Sequence, residues 1–100
     1  MTLTGIKYDQ DKLDYTLLPW SSVDQVVQVL EFGAEKYTKN NWQLVSKERY
    51  LKALFRHVIA YAQDETLDSE SQLPHLAHAV CCALFILYED ANDTTILSER

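Results

Sequence analysis

The chain has 100 residues, with nine basic and fifteen acidic side chains, a net charge of -6 and a pI near 4.8. That length bounds it to one domain with a limited core, and the acidic balance counts against nucleic-acid binding by phosphate neutralisation. Two glycines and two prolines favour long helices over turn-rich β structure, so an all-α fold is expected, a bundle of about three to four helices forming one domain over 1–100.

Residues 1–18 have no clear period, but Ile6, Tyr8, Leu13, Tyr15, Leu17 and Leu18 are too apolar for disorder, so they read as an irregular arm lying on the domain. A first helix is predicted after Pro19. Ser22 and Gln25 have capping-box spacing, and Val23, Val26, Val27, Leu30, Ala34 and Tyr37 form one stripe. Thr38 to Ser46 reads as a loop. Ser46 caps a predicted second helix to about Asp64, with Leu51, Leu54, Phe55, Val58 and Ala62 as its core face. After an acidic connection, Asp64 to Ser71, a third helix is predicted from about Leu73 to Glu89, with Pro74 in its first turn. It is apolar nearly all round and reads as the central buried helix. Residues 90–100 form a polar tail. Adjacent Cys81 and Cys82 lack metal or redox spacing and read as small core residues. The polar N-terminus is no signal peptide and no run reaches membrane-spanning length, so the cytoplasm is expected (the host's, if the chain is phage-encoded).

Three polar groupings carry chemistry. Glu31 and Glu35, at i and i+4, share a face of the first helix, with Cβ atoms roughly 5–6 Å apart. Such a pair can ligate Mg²⁺ or Mn²⁺, or can simply be solvated. Arg49, Lys52 and Arg56 form a basic stripe on the second helix, suited to phosphate oxygens or to surface ion pairs. His75 and His78 share one side of the third helix, preceded by Asp64, Glu65, Asp68 and Glu70, while His57 falls on the flank of the second. A buried imidazole without a partner costs about 1–3 kcal/mol, so carboxylates, phosphate or a metal are expected beside them. No glycine-rich phosphate loop and no HExxH are present, and structural zinc is not expected.

The segments "GIKYDQDKLDYTLLP", "VLEFGAEKYTKNNW", "RYLKALFRHVIAY" and "DSESQLPHLAHAVCCALFIL" occur in that order. Together they resemble the phage dATP/dGTP diphosphohydrolase family, MazZ-like and related to the all-α MazG-type pyrophosphohydrolases. The resemblance implies a MazG-like fold and Mg²⁺- or Mn²⁺-dependent cleavage of a purine dNTP to dNMP and pyrophosphate, shaping the phage nucleotide pool. It implies Glu31, Glu35 and Asp68 as metal ligands and Glu70 as ligand or general base. His75 and His78 would orient these carboxylates or contact the nucleotide. Lys36, Lys52 and Arg56 would bind phosphate, and Asn41 and Trp42 would hold the base. Glu31 and Glu35 depart from the ExxE spacing of MazG. For its later ExxD pair both Glu65 with Asp68, by letters, and His75 with His78, by position, are candidates.

Two rivals differ in what they release or fail to release. A different metal-dependent phosphohydrolase would liberate free phosphate, and a non-enzymatic helical dimerisation module would show no metal-dependent turnover. A short chain with an all-apolar third helix is expected to be a homodimer or homotetramer with its site near the interface.

Overall fold

Pro19, Ser46 and Pro74 each stand immediately before a helix. α1 spans Trp20–Lys36, α2 Lys47–Ala62 and α3 His75–Ala91, with 3-10 turns at Tyr15–Leu17 and Asn41–Leu44. The computed structural model describes residues 4–93, and no strand is present among them. Most of the expected polar tail, 94–100, lies outside the described residues. The all-α expectation is met.

The helix starts differ from the sequence reading in detail. Pro19 takes the cap position of α1, and the amide of Ser22 donates to the Pro19 carbonyl at 2.9 Å, so Ser22 lies inside the helix and builds no capping box. Pro74 likewise precedes α3 rather than entering its first turn. In both places an extended proline already directs the chain into the helix, and no polar side-chain cap forms.

α2 and α3 form an antiparallel hairpin. Lys47 at the start of α2 pairs with Asp90 near the end of α3 at 2.9 Å, Tyr50 packs on Phe85, and His57 meets His75 and His78. α1 lies on another side of α3, also antiparallel. The Cys81 thiol donates to the Val26 carbonyl at 3.4 Å, and Phe32 meets the His78 ring edge to face. Val29, Ala77 and Cys81 form the core cluster, flanked by Val26, Leu73 and Phe85. α3 is therefore central, carrying His75, Ala77, Ala79, Cys81 and Cys82 as buried residues.

The faces chosen by the outer helices correct the sequence reading. On α1 the inward residues are Val26, Val29 and Phe32, while Val27, Leu30, Ala34 and Tyr37 of the expected stripe are exposed. On α2 they are Tyr50, Ala53, Leu54 and His57, at i, i+3, i+4 and i+7. Leu51, Phe55, Val58 and Ala62 of the expected core face are exposed. The arm does not lie on the domain either: Ile6, Tyr8 and Leu17 are each 82% exposed.

Candidate functional site

The connection between α2 and α3 makes the site. α2 is capped by Gln63 with Asp64 in the left-handed region at φ 68°, and the amides of Asp64 and Glu65 return to the carbonyls of Tyr61 and Ala60, both at 3.0 Å. This is a Schellman closure, with Asp where Gly is usual. The chain then folds on itself: Leu67 and Pro74 form an isolated antiparallel bridge, and the amide of Asp68 donates to the Leu73 carbonyl at 2.9 Å. The reversal is tight enough to need Gln72 at φ 60°. It carries Asp68 and Ser71 back against the imidazoles.

Asp68 is held from its own loop. Its Oδ2 accepts from the amides of Glu70 and Ser71 at 3.1 and 2.9 Å and from the Ser71 hydroxyl at 3.1 Å. Burial alone would raise the Asp68 pKa, but the Ser71 bonds and the neighbouring histidines outweigh it and hold the carboxyl below its ordinary value. Ser71 Oγ also lies 2.6 Å from His78 Nε2, and Asp68 Oδ2 is 3.9 Å from that nitrogen.

Three histidines meet where α2 faces α3. His57 and His78 stack with centroids 4.7 Å apart and 13° between planes, and Nδ1 of His57 lies 2.8 Å from Nδ1 of His75. His75 is buried, and its Nε2 has no hydrogen bond, with Glu65 Oε1 3.5 Å away. Burial, with the fields of His78 and His75, lowers the His57 pKa to about 4, and burial lowers that of His78 too. His57 and His78 are therefore neutral near pH 7 and offer bare lone pairs. Ligand atoms of His57, Asp68 and His75 lie within 4.8 Å of one another.

Beside this cluster runs a cleft between α1 and the loop, about 570 Å³ in volume and open to solvent. Glu31, Glu35 and Gln28 line it from α1, with Phe32 and Ala34, and Ser71 and Leu73 line it from the loop. Its size falls within the range of small-molecule sites, roughly 300–1,000 Å³. Ser71 joins the two halves, since it lines the cleft and bonds both Asp68 and His78.

The other sequence candidates fall elsewhere. Lys36, at the end of α1, forms an ion pair with Glu70, so each engages the other at the rim. Trp42 stacks on Phe85 at 4.6 Å and meets Tyr88 edge on, while its carbonyl accepts from Tyr50 Oη at 3.1 Å. It lines a separate apolar cavity of about 430 Å³ with Leu30, Leu84 and Leu87. Asn41 opens the same 3-10 turn. Lys52 and Arg56 are exposed on α2 and line neither cavity. His57 and Ser71 were missed as site residues. The signal for His57 was its i+7 spacing from Tyr50, which puts it on the inward face. For Ser71 it was the DxxS spacing from Asp68, which suits a side chain bonding the following backbone.

The sequence matches the family described as "dATP/dGTP diphosphohydrolase, N-terminal" over residues 2–99, and the chain belongs to that family. It is 38% identical over 86 residues to a protein of Salmonella phage PMBT28 named dATP/dGTP diphosphohydrolase. The match covers 86% of this chain and 30% of that relative, so the chain spans about a third of the relative's length. No solved structure matches.

Proposed function

We propose that this chain hydrolyses a purine deoxynucleoside triphosphate, dGTP or dATP, to the monophosphate and pyrophosphate. The observation that supports this best is the single cleft lined by two carboxylates of α1 and by Ser71, which is itself tied to Asp68 and His78. The name of the phage relative points to the same substrates.

Glu31 and Glu35 supply hard oxygen donors from one helix face, a donor set that fits Mg²⁺ or Mn²⁺, while Asp68 stands behind Ser71 and does not itself line the cleft. When bound, such an ion neutralises triphosphate charge and makes a water acidic enough to ionise near neutral pH. The chain's residues do the rest. Ser71, fixed between Asp68 and His78, offers a hydroxyl to the reacting phosphate. With its own proton on Asp68, Ser71 Oγ accepts from His78 Nε2–H at 2.6 Å, which fixes the tautomer and orientation of that neutral ring, with Asp68 3.9 Å away. The Lys36–Glu70 pair at the rim can open to place the ammonium on the outer phosphates. Trp42, with one face on Phe85, supports the second cavity instead of stacking a base at this cleft.

The chain assembles as a homodimer or homotetramer. Leu51, Phe55 and Ile59 on α2 and Val80, Leu84 and Leu87 on α3 are all between 45 and 66% exposed, apolar area that needs a cover.

The test is incubation with each of the eight common (d)NTPs and Mg²⁺ or Mn²⁺, with products resolved by ion-exchange chromatography. Purine dNMP plus pyrophosphate is the expected result, abolished by Glu31→Gln or Glu35→Gln with the helical CD spectrum intact. Free phosphate would indicate a different phosphohydrolase. No turnover with either metal would leave an assembly module.

A further inference from the structure

We propose that His57, His75 and Asp68 bind a transition-metal dication of the Zn²⁺, Co²⁺ or Fe²⁺ class, at a site distinct from the Glu31/Glu35 wall of the cleft. The first ground is the 2.8 Å approach of two Nδ1 atoms. Two bare lone pairs at that distance repel, so something positive lies between them: a proton on one ring or a metal ion held by both. Two imidazole nitrogens on a tetrahedral metal, with bonds of about 2.1 Å, stand about 3.4 Å apart, so the pair would part by about 0.6 Å to hold one.

The second ground is His75 Nε2, a buried atom without a hydrogen bond, an arrangement that costs stability. With Nδ1 engaged, by a metal or by a proton from His57, Nε2 is the outward N–H, and Glu65 Oε1 at 3.5 Å is placed to receive it after a small closure; titration with metal separates the two occupants. A carboxylate behind a ligating histidine is the usual way such rings are oriented and made more basic.

The third ground is Asp68. Every hydrogen bond described for its carboxylate goes to Oδ2, which leaves Oδ1 to ligate. Ligand atoms of the three residues lie within 4.8 Å of one another, and they come from α2, the loop and α3. Two imidazoles and one carboxylate favour a borderline transition metal over Mg²⁺, which prefers all-oxygen surroundings. One ion there ties the α2–α3 loop to both helices and so fixes Ser71 at the cleft. The site stands apart from the hydrolase proposal because it is read by binding, without turnover.

The experiment uses the untagged full chain, stripped of metal by chelation and titrated with Co²⁺, then Zn²⁺ and Mg²⁺. Expected are visible Co²⁺ absorption bands saturating at one ion per chain at micromolar concentration, displaced by Zn²⁺ and not by Mg²⁺. His57→Gln and His75→Gln should remove the bands, Glu65→Gln should weaken binding about tenfold, and Glu31→Gln/Glu35→Gln should keep them. Zn²⁺ should also move the Nδ1 resonances of His57 and His75 in ¹⁵N spectra of the wild-type chain, a readout that survives if a variant fails to fold. Absent bands, bands that persist in the histidine variants, or Nδ1 resonances that keep one protonated and one bare nitrogen in excess Zn²⁺ would overturn the proposal.

Discussion

Cys81 and Cys82 show what burial does to a reactive group. Both thiols are buried, at 2 and 6% exposure, and burial first, then the proximity of Cys82, raises the Cys81 pKa to about 12. The thiolate that would react with a disulfide reagent is therefore scarce, and access is closed as well. At pH 8 the native chain should leave Ellman's reagent almost untouched, and both thiols should react at once in guanidinium. The same shift has a sign for stability. The unfolded thiol ionises near its ordinary value of about 8.5, whereas folded Cys81 keeps its proton, so above that pH the unfolded state is favoured. The urea midpoint should fall between pH 8 and pH 10, and Cys81→Ala should flatten that fall. The inert core role of the pair was legible from sequence, because it needs only a small apolar residue on an apolar helix. The roles of His57 and Ser71 were not. They depend on a loop that reverses through Asp64 and Gln72 in left-handed conformations, and neither residue carries the glycine that usually signals such a turn.

At the scale of elements, the three helices were legible because prolines and polar loops bound them, but their faces were not. α2 is apolar on two sides: Tyr50, Ala53 and Leu54 face α3, and Leu51, Phe55, Val58 and Ile59 face outward. Periodicity alone selects the more hydrophobic side, and here that side is not the one used within the chain. The junction after α2 gives a test of local geometry. A side chain with Cβ in the left-handed region costs roughly 1–2 kcal/mol, less for Asp, which bonds locally, and nothing steric for Gly. Asp64→Gly should leave stability equal or raise it by up to about 1 kcal/mol, because the Schellman bonds stay. Asp64→Val should lower it by about 1–2 kcal/mol, since a branched Cβ is an outlier there. Chemical denaturation of both variants checks this, and a more stable valine variant would show that the junction does not hold the loop.

For the whole molecule, the uncovered apolar area bears on the proposed assembly. The outward sides of α2 and α3 and the aromatic arm are the apolar area that a partner copy would cover, as obligate homodimer interfaces do. Ile6, Tyr8 and Leu17 find no cover on their own chain, and the proposed assembly would supply it. Light scattering should return a mass of two or four chains at micromolar concentration. Leu84→Asp puts a charge on the outward side of α3, where the side chain is 46% exposed and lies outside the core cluster of Val29, Ala77 and Cys81. It should shift the mass toward monomer while helical CD falls only in part. Removing residues 1–18 should weaken the assembly without abolishing it, because the helix faces remain. A wild-type chain that stays monomeric and melts cooperatively would mean that the core around Val29, Ala77 and Cys81 suffices alone, and the oligomer proposal would then fail.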